Sequence, residues 1–317
     1  MKNYRKLLAG SLALLLAVGI TGCSNTSGGG TGVANEDGLV VLNVASTGQP
    51  VSFDPADANL VVNEYTEYDC YDTLLDFNQD GTDVVPALAE SWEQVDDLTY
   101  TYKIREGVKF SDGSDLTMDD VLYSLNRVRE DAYGMSYLFE HVDSFEVDEK
   151  TRTLTVHLTQ PDSTWKYVPA TTPCQILKKS VVEAEGDAYG TNEGSVVGTG
   201  PYKFVSWAAD SQIVLEKNEY WWGGADNLAI DKINFYVMKD ASTIALAVKS
   251  GTIDFAPGIT NDVLPTYESL NNYNIIHDFE TSTAFVALNT QVAPFDDVNA
   301  RKALAYCIDS SLVQQSI

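Results

Sequence analysis

Residues 100–113 have the sequence YTYKIREGVKFSDG, and this stretch with its neighbours decides the fold class. From Leu98 to Ile104, apolar and polar side chains alternate, which predicts a β-strand with one buried face. Gly107 and Gly113 permit sharp turns on either side of residues 108–110, which we expect to extend the sheet.

The helix that follows is marked at its start by Thr117. Asp120 lies three residues later, which is the spacing of a capping box, where each side chain binds the other residue's backbone N–H. From residue 118 onward, apolar residues recur at helical spacing. They form the predicted inner face of the helix: Val121, Leu122, Leu125 and Val128.

Further strands and helices are predicted on both sides of this unit. N-terminal to it lie a strand at residues 39–44 and a helix at 61–75. C-terminal to it lies a predicted hairpin, with strands at 145–147 and 154–158 joined by a turn at 148–151. A Gly-rich crossover follows at 186–200. After it we expect strands at 202–205, 213–216 and 233–238, a helix at 241–249 and a strand at 253–255. Strands and helices without strict βαβ alternation favour an α/β body divided into lobes.

The first 22 residues have the pattern of a signal peptide. Lys2, Arg5 and Lys6 precede an uncharged apolar run at residues 7–19. That run is shorter than a membrane-spanning helix, so we expect an export signal and not a transmembrane segment.

The apolar run leads into Ile20-Thr21-Gly22-Cys23, which resembles the lipobox of bacterial lipoproteins. The resemblance implies cleavage before Cys23 and acylation of its thiol. The segment 23–38 is rich in Gly, Ser, Thr and Asn, and we expect it to be a lipidated flexible tether. The sequence therefore predicts an extracytoplasmic body attached to the bacterial cell membrane through lipid.

The chain is strongly acidic, with 46 Asp and Glu against 20 Lys and Arg and a net charge of −26. This charge argues against nucleic acid or an anionic membrane surface as a partner. The cysteines after Cys23 form neither a CxxC pair nor a metal-binding spacing. We expect Cys70, Cys174 and Cys307 to be buried free thiols, and the sequence leaves a Cys70–Cys174 disulfide open.

Catalytic and metal-binding motifs are missing from the sequence, which contains no HExxH, GxSxG, P-loop or dinucleotide fingerprint. Residues 76–81, DFNQDG, begin like a calcium loop, but Ala87 stands where a bidentate Glu is needed, so we expect a β-turn. His141 and His157 are expected at the surface. We therefore predict no cofactor, no metal and no enzyme; a secreted glycosidase is a remote alternative, because abundant acidic residues supply carboxylate pairs.

Six segments resemble, in order, those of extracellular solute-binding protein family 5, the oligopeptide-, dipeptide- and nickel-binding lipoproteins of ABC importers. They are VPALAESWE (85–93), YTYKIREGVKFSDG (100–113), LTMDDV (116–121), GTGPY (198–202), NEYW (218–221) and FDDVNARKAL (295–304). The resemblance extends from about residue 40 to the end of the chain. Ser111 departs from it, since His is common at that position.

The resemblance implies a periplasmic-binding-protein-like type II α/β fold with two lobes and an extra inserted domain. Residues 40–75 and 197–280 would form the first lobe, 76–196 the inserted domain, and 281–317 the start of the second lobe. Most of the second lobe would then be missing from this chain. Residues 298–305 are predicted to begin one helix, and a second helix predicted from residue 309 lacks a termination signal, which also favours truncation.

The resemblance further implies a monomeric substrate-binding lipoprotein that captures an oligopeptide or dipeptide by lobe closure and delivers it to an ABC permease and ATPase. The candidate ligand-binding residues are Asn59, Leu60, Val61, Val62, Asn63, Thr283, Ala284 and Phe285. For Val61, Val62 and Phe285, core packing is an equal alternative. Other solutes stay open (a nickel chelate, haem or an oligosaccharide), as does a surface signalling receptor.

Overall fold

The computed structural model describes residues 38–56, 61–130, 135–277 and 285–309, and it describes only the backbone of residues 61–65 and 130. The chain divides into two compact units, Met1–Gly258 and Ile259–Ile317. The strands of the larger unit are β1 (Val41–Ser46), β2 (Leu75–Phe77), β3 (Val84–Pro86), β4 (Ala89–Asp96), β5 (Thr99–Ile104), β6 (Val142–Asp148), β7 (Thr153–Leu158), β8 (Tyr202–Ala208), β9 (Gln212–Lys217) and β10 (Lys232–Val237). Its α-helices are α1 (Val61–Cys70), α2 (Met118–Glu130), α3 (Lys179–Glu185) and α4 (Ala241–Lys249).

One four-stranded sheet has the order β1-β10-β9-β8. β1 pairs in parallel with β10, and the other pairs are antiparallel. The strands predicted around β8, β9 and β10 and the helix at 241–249 are confirmed. The strand predicted at 253–255 is wrong, because the Ile253 N–H bonds to the Ala247 carbonyl of α4 and only Phe255 forms a bridge, to Val44 of β1.

The second four-stranded sheet has the order β4-β5-β7-β6 and is antiparallel throughout. The alternation predicted for β5 and the hairpin of β6 and β7 are confirmed; Tyr100, Tyr102 and Ile104 are buried. The predicted extension at 108–110 is wrong. Gly107 has a φ of 70° and turns the chain away from the sheet, after which Lys109 only bridges Asp115.

The predicted capping box at the start of α2 is confirmed. The Thr117 N–H donates to Asp120 Oδ2 (3.0 Å), and the Asp120 N–H donates to Thr117 Oγ1 (3.1 Å). Both N–H groups lack an intrahelical partner at this position, so the reciprocal bonds stabilise the helix start. Val121, Leu125 and Val128 face the core as predicted, whereas Leu122 is only partly buried.

Two apolar clusters form the interior of the larger unit. One packs around the sheet β4-β5-β7-β6 and α2, the other around the sheet β1-β10-β9-β8. Leu177, Val182 and Tyr189 belong to the second cluster, although the sequence analysis assigned them to the inserted domain. The boundaries of the lobes and of the inserted domain stay predictions.

The smaller unit contains α5 (Leu264–Glu268) and α6 (Val298–Cys307). The helix predicted from residue 298 is confirmed, and the side chain of Asp297 caps it by accepting from the Asn299 N–H (2.8 Å). No residue of α6 is buried.

The three described cysteines are free thiols. Cys70 and Cys174 are buried, as predicted, and they do not form the disulfide that the sequence left open. The prediction for Cys307 is wrong, since its thiol is exposed on a helix without a buried face.

Candidate functional site

The ligand-binding residues inferred from the resemblance fall in three places. Residues 61–63 form the first turn of α1, where the structure gives the backbone. Phe285 lies in the smaller unit, in a stretch without regular secondary structure, and its side chain is 81% exposed. Asn59, Leu60, Thr283, Ala284 and Cys23 lie outside the described residues. The structure therefore brings together only the backbone of residues 61–63.

The chain approaches α1 through residues 52–56, which hydrogen bonds hold to their surroundings. The Phe53 N–H donates to the Gly190 carbonyl (2.7 Å), and the Asp54 N–H donates to Ser52 Oγ (2.9 Å). A Cβ on Gly190 would lie 2.5 Å from the Asp54 nitrogen. Only glycine therefore fits beside this segment, and its φ of 72° is one that glycine adopts without strain.

Asp54 forms a bidentate ion pair with Arg127 of α2. Nη1 lies 2.7 Å from Oδ1 and Nη2 lies 2.6 Å from Oδ2. The side chains are 12% exposed for Arg127 and 6% for Asp54. Two parallel N–H···O bonds fix orientation as well as distance, and the pairing compensates charges that burial would otherwise penalise.

Tyr71 follows α1 directly, and its side chain connects the end of α1 to Phe53, which precedes the helix. Its hydroxyl donates to the Phe53 carbonyl oxygen (3.0 Å) and lies 2.8 Å from the hydroxyl of Tyr189. Since the Tyr71 proton is used on Phe53, the Tyr189 hydroxyl donates to Tyr71. Burial raises the pKa of both phenols, so both stay neutral donors over the physiological pH range.

Helix α1 ends at Cys70 and not at residue 75 as predicted, because the carbonyls that follow accept hydrogen bonds from other segments. The carbonyls of residues 70 and 72–74 accept from the N–H groups of Gly200, Ile176, Leu88, Ala87 and Ala89. Three of these donors belong to VPALAESWE and one to GTGPY. Two of the segments that carry the family resemblance thus hold the C-terminal end of α1.

The described part of the chain contains neither a cluster of metal-binding side chains nor a helix that could span a membrane. His157 Nε2 lies 3.7 Å from Glu146 Oε2 at the protein surface. Within the described ranges there is no group of three or more His, Cys, Asp or Glu side chains arranged to hold a metal ion. Among these residues, no helix has both the length and the apolar character needed to cross a bilayer.

The sequence analysis missed the residues that hold the segments before and after α1, which are Asp54, Arg127, Tyr71 and Tyr189. Asp54 and Arg127 are 73 positions apart, and 46 acidic and 20 basic residues allow too many pairings to select one. A usable signal was Asp54 next to Pro55 in a loop before a helix, since such a carboxylate often binds nearby groups.

Comparison with known proteins agrees with this fold. A family model described as bacterial extracellular solute-binding proteins, family 5 Middle, matches residues 83–317. The dipeptide-binding protein DppE of Bacillus subtilis is 29% identical over 332 residues, covering 98% of this chain and 60% of DppE. Heme-binding protein A of Haemophilus influenzae is 28% identical over 296 residues, covering 84% of this chain and 53% of that protein.

A solved structure shows the same fold. The oligopeptide-binding protein AppA of Bacillus subtilis, in complex with a nonapeptide, superposes with a TM-score of 0.76 at 27% identity. The match covers 87% of this chain and 55% of AppA. The chain therefore spans a little over half the length of these relatives, which is consistent with a periplasmic-binding-protein fold whose second lobe is largely missing from it. The proteins of this family are binding proteins of transport systems and act outside the cytoplasm, and this chain belongs to the bacterial extracellular solute-binding proteins, family 5.

Proposed function

We propose that the complete protein is the substrate-binding component of an ABC importer and that it captures short peptides. Membership of family 5 carries this proposal. Two similar proteins support peptide as the solute: DppE is named as a dipeptide-binding protein, and AppA was solved with a nonapeptide. The partners would be a membrane permease and its ATPase, and the protein would work as a monomer without a cofactor.

The mechanism we propose is closure of two lobes around the solute by a hinge motion. An extended peptide offers a regular row of N–H and C=O groups, which backbone groups of the protein bind much as they bind an added strand. Residues 59–63 and 283–285 would contribute to this binding. The rest of the cleft would come from the second lobe of the complete protein.

The solute can be identified by expressing the complete gene and analysing the purified protein by native mass spectrometry. We expect copurified peptides of two to ten residues, released on denaturation. Isothermal titration with a dipeptide, tripeptide, tetrapeptide and nonapeptide set should then show one saturable site per chain. Haem or a nickel chelate in the copurified material, with no response to any peptide, would contradict the proposal.

An enzyme or a signalling receptor would behave differently in two simple tests. A glycosidase or peptidase consumes its substrate, so we incubate the bound peptide and an oligosaccharide with excess protein and follow both by chromatography. We expect both to stay intact. If the protein serves an importer, deletion of its gene should abolish uptake of the labelled peptide, whereas loss of a signalling receptor would leave uptake unchanged.

We also propose that the protein is exported and attached to the cell membrane through an acylated Cys23. The charged start, short apolar run and Gly22-Cys23 junction support this. A diacylglycerol with an N-acyl chain provides the two hydrophobic signals that stable attachment requires. Cys23→Ala should abolish labelling by radioactive palmitate and move the protein out of the membrane fraction, whereas Cys307→Ala should change neither result.

A further inference from the structure

We propose that Arg127 is a positioning residue for solute binding, acting through Asp54 on the segment that leads into α1. The inference rests on the proposed function, because it takes the first turn of α1, residues 61–63, as part of the solute site. Arg127 itself lies in α2, which packs in the apolar cluster of the sheet β4-β5-β7-β6.

The first step of the argument is the burial of this ion pair. The side chains of Arg127 and Asp54 are 12% and 6% exposed, whereas those of Lys217 and Asp231, a comparable pair at 2.6 Å, are 26% and 29% exposed. A buried pair contributes little net stability compared with apolar residues of the same size. Its stronger effect is geometric, since a planar guanidinium in a bidentate contact fixes the carboxylate in one orientation.

The second step is that Asp54 has little freedom to move independently of its neighbours. Its own N–H donates to Ser52 Oγ, and its Oδ1 accepts from the Ala56 N–H (3.1 Å) as well as from Arg127. The backbone of residues 54–56 therefore follows the carboxylate. Residue 56 is five positions before Val61, so we expect a shift at Asp54 to be passed along the chain to the start of α1.

The third step is that the far end of the same segment is held separately. Tyr71 binds the Phe53 carbonyl oxygen and Tyr189, and Gly200 binds the carbonyl of Cys70. With the end of α1 fixed in this way, the Arg127–Asp54 pair is a contact between α2 and the segment that precedes α1. Loss of the bidentate contact should therefore loosen the start of α1 while its end stays packed.

The experiment compares variants of the complete protein that keep the site folded. Arg127→Lys keeps the positive charge but loses the bidentate contact with Asp54. The double variant Asp54→Asn/Arg127→Gln also loses this contact, and it leaves no buried charge unpaired. Lys217→Gln is the matched control, because it removes an ion pair of similar length, to Asp231, that involves neither residues 52–56 nor α2. Thermal unfolding followed by circular dichroism confirms that each variant is folded.

Two measurements are made on each variant. Hydrogen exchange of the ligand-free protein should show the α1 amides of residues 65–67, which bond to the carbonyls of the first turn, exchanging roughly tenfold faster in both Arg127 variants, with residues 68–70 and β4–β7 unchanged. Isothermal titration with the tetrapeptide and nonapeptide should show affinity weakened by roughly threefold to thirtyfold. Lys217→Gln should match the wild type in both measurements.

The results separate this inference from the proposed function. Unchanged exchange in α1 of folded Arg127 variants overturns the inference, as does faster exchange with unaltered peptide affinity. Failure of the wild type to bind any peptide overturns the proposed function instead. The exchange data then still decide whether Arg127 orders α1.

Discussion

The indole Nε1 of Trp222 donates a 2.7 Å hydrogen bond to Asp72 Oδ2, at the place where the two apolar clusters of the larger unit meet. Trp222 packs against both clusters. The guanidinium carbon of Arg105 lies 4.6 Å from the centre of its ring, and Arg105 Nε donates to the Ala87 carbonyl oxygen (2.7 Å). One tryptophan therefore connects the end of β5, the turn before β4 and the residues after α1.

The neighbouring Trp221 offers a matched comparison for this bond. Trp221 is 7% exposed, and its Nε1 finds no acceptor among the described residues. Trp222→Phe should lower the free energy of unfolding by about 1–3 kcal/mol more than Trp221→Phe, because only the first change removes a hydrogen bond to a carboxylate. Urea denaturation followed by circular dichroism measures both. Equal losses would show that ring volume alone matters.

Gly200 should tolerate alanine poorly, for a steric reason. A Cβ at this position would lie 2.5 Å from the carbonyl carbon of Cys70 and 2.7 Å from the Tyr71 nitrogen, and backbone atoms cannot move aside as a side chain can. We expect Gly200→Ala to cost about 3 kcal/mol or more. Gly251 is the control: its φ is 76° but nothing lies within 4 Å, so Gly251→Ala should cost only about 1–2 kcal/mol. Similar thermal midpoints for the two variants would contradict this explanation.

Features that depend on neighbouring residues could be predicted from the sequence, and features that depend on distant ones could not. The alternation of β5 and the Thr117–Asp120 box are local, and both are confirmed. The turn of the chain at Gly107 away from the sheet was missed, because glycine permits a turn but does not give its direction. No local pattern indicates that Arg127 pairs with an aspartate 73 positions away. The solute-binding residues came from the family resemblance alone.

The cysteines should differ sharply in reactivity. Burial raises the pKa of the Cys174 thiol to about 12 and raises that of Cys70 as well, so neither supplies thiolate at neutral pH. Cys307 is exposed. In the folded chain, a maleimide should label Cys307 within minutes and the buried pair only after denaturation, as mass spectrometry of tryptic peptides would show. Rapid modification of Cys70 in the folded Cys307→Ser variant would contradict the burial of its thiol.

Asp69 of α1 should give the protein a pH dependence of unusual sign. Burial raises its pKa from 3.8 to about 8, so between these values the folded state holds a proton that the unfolded state releases. This contribution to stability is present at low pH and is lost as pH rises towards 8. Asp69→Asn should therefore gain stability relative to the wild type between pH 5 and 8. Asp240 is the opposite case: it accepts from the Thr243 hydroxyl (2.8 Å) and the Thr243 N–H (2.7 Å), which lower its pKa, and its contribution is lost only in acid. Asp240→Ala should consequently run parallel to the wild type from pH 5 to 8. Urea unfolding at four pH values tests both, and parallel curves for Asp69→Asn and the wild type would show that the carboxyl of Asp69 is ionised in the folded protein.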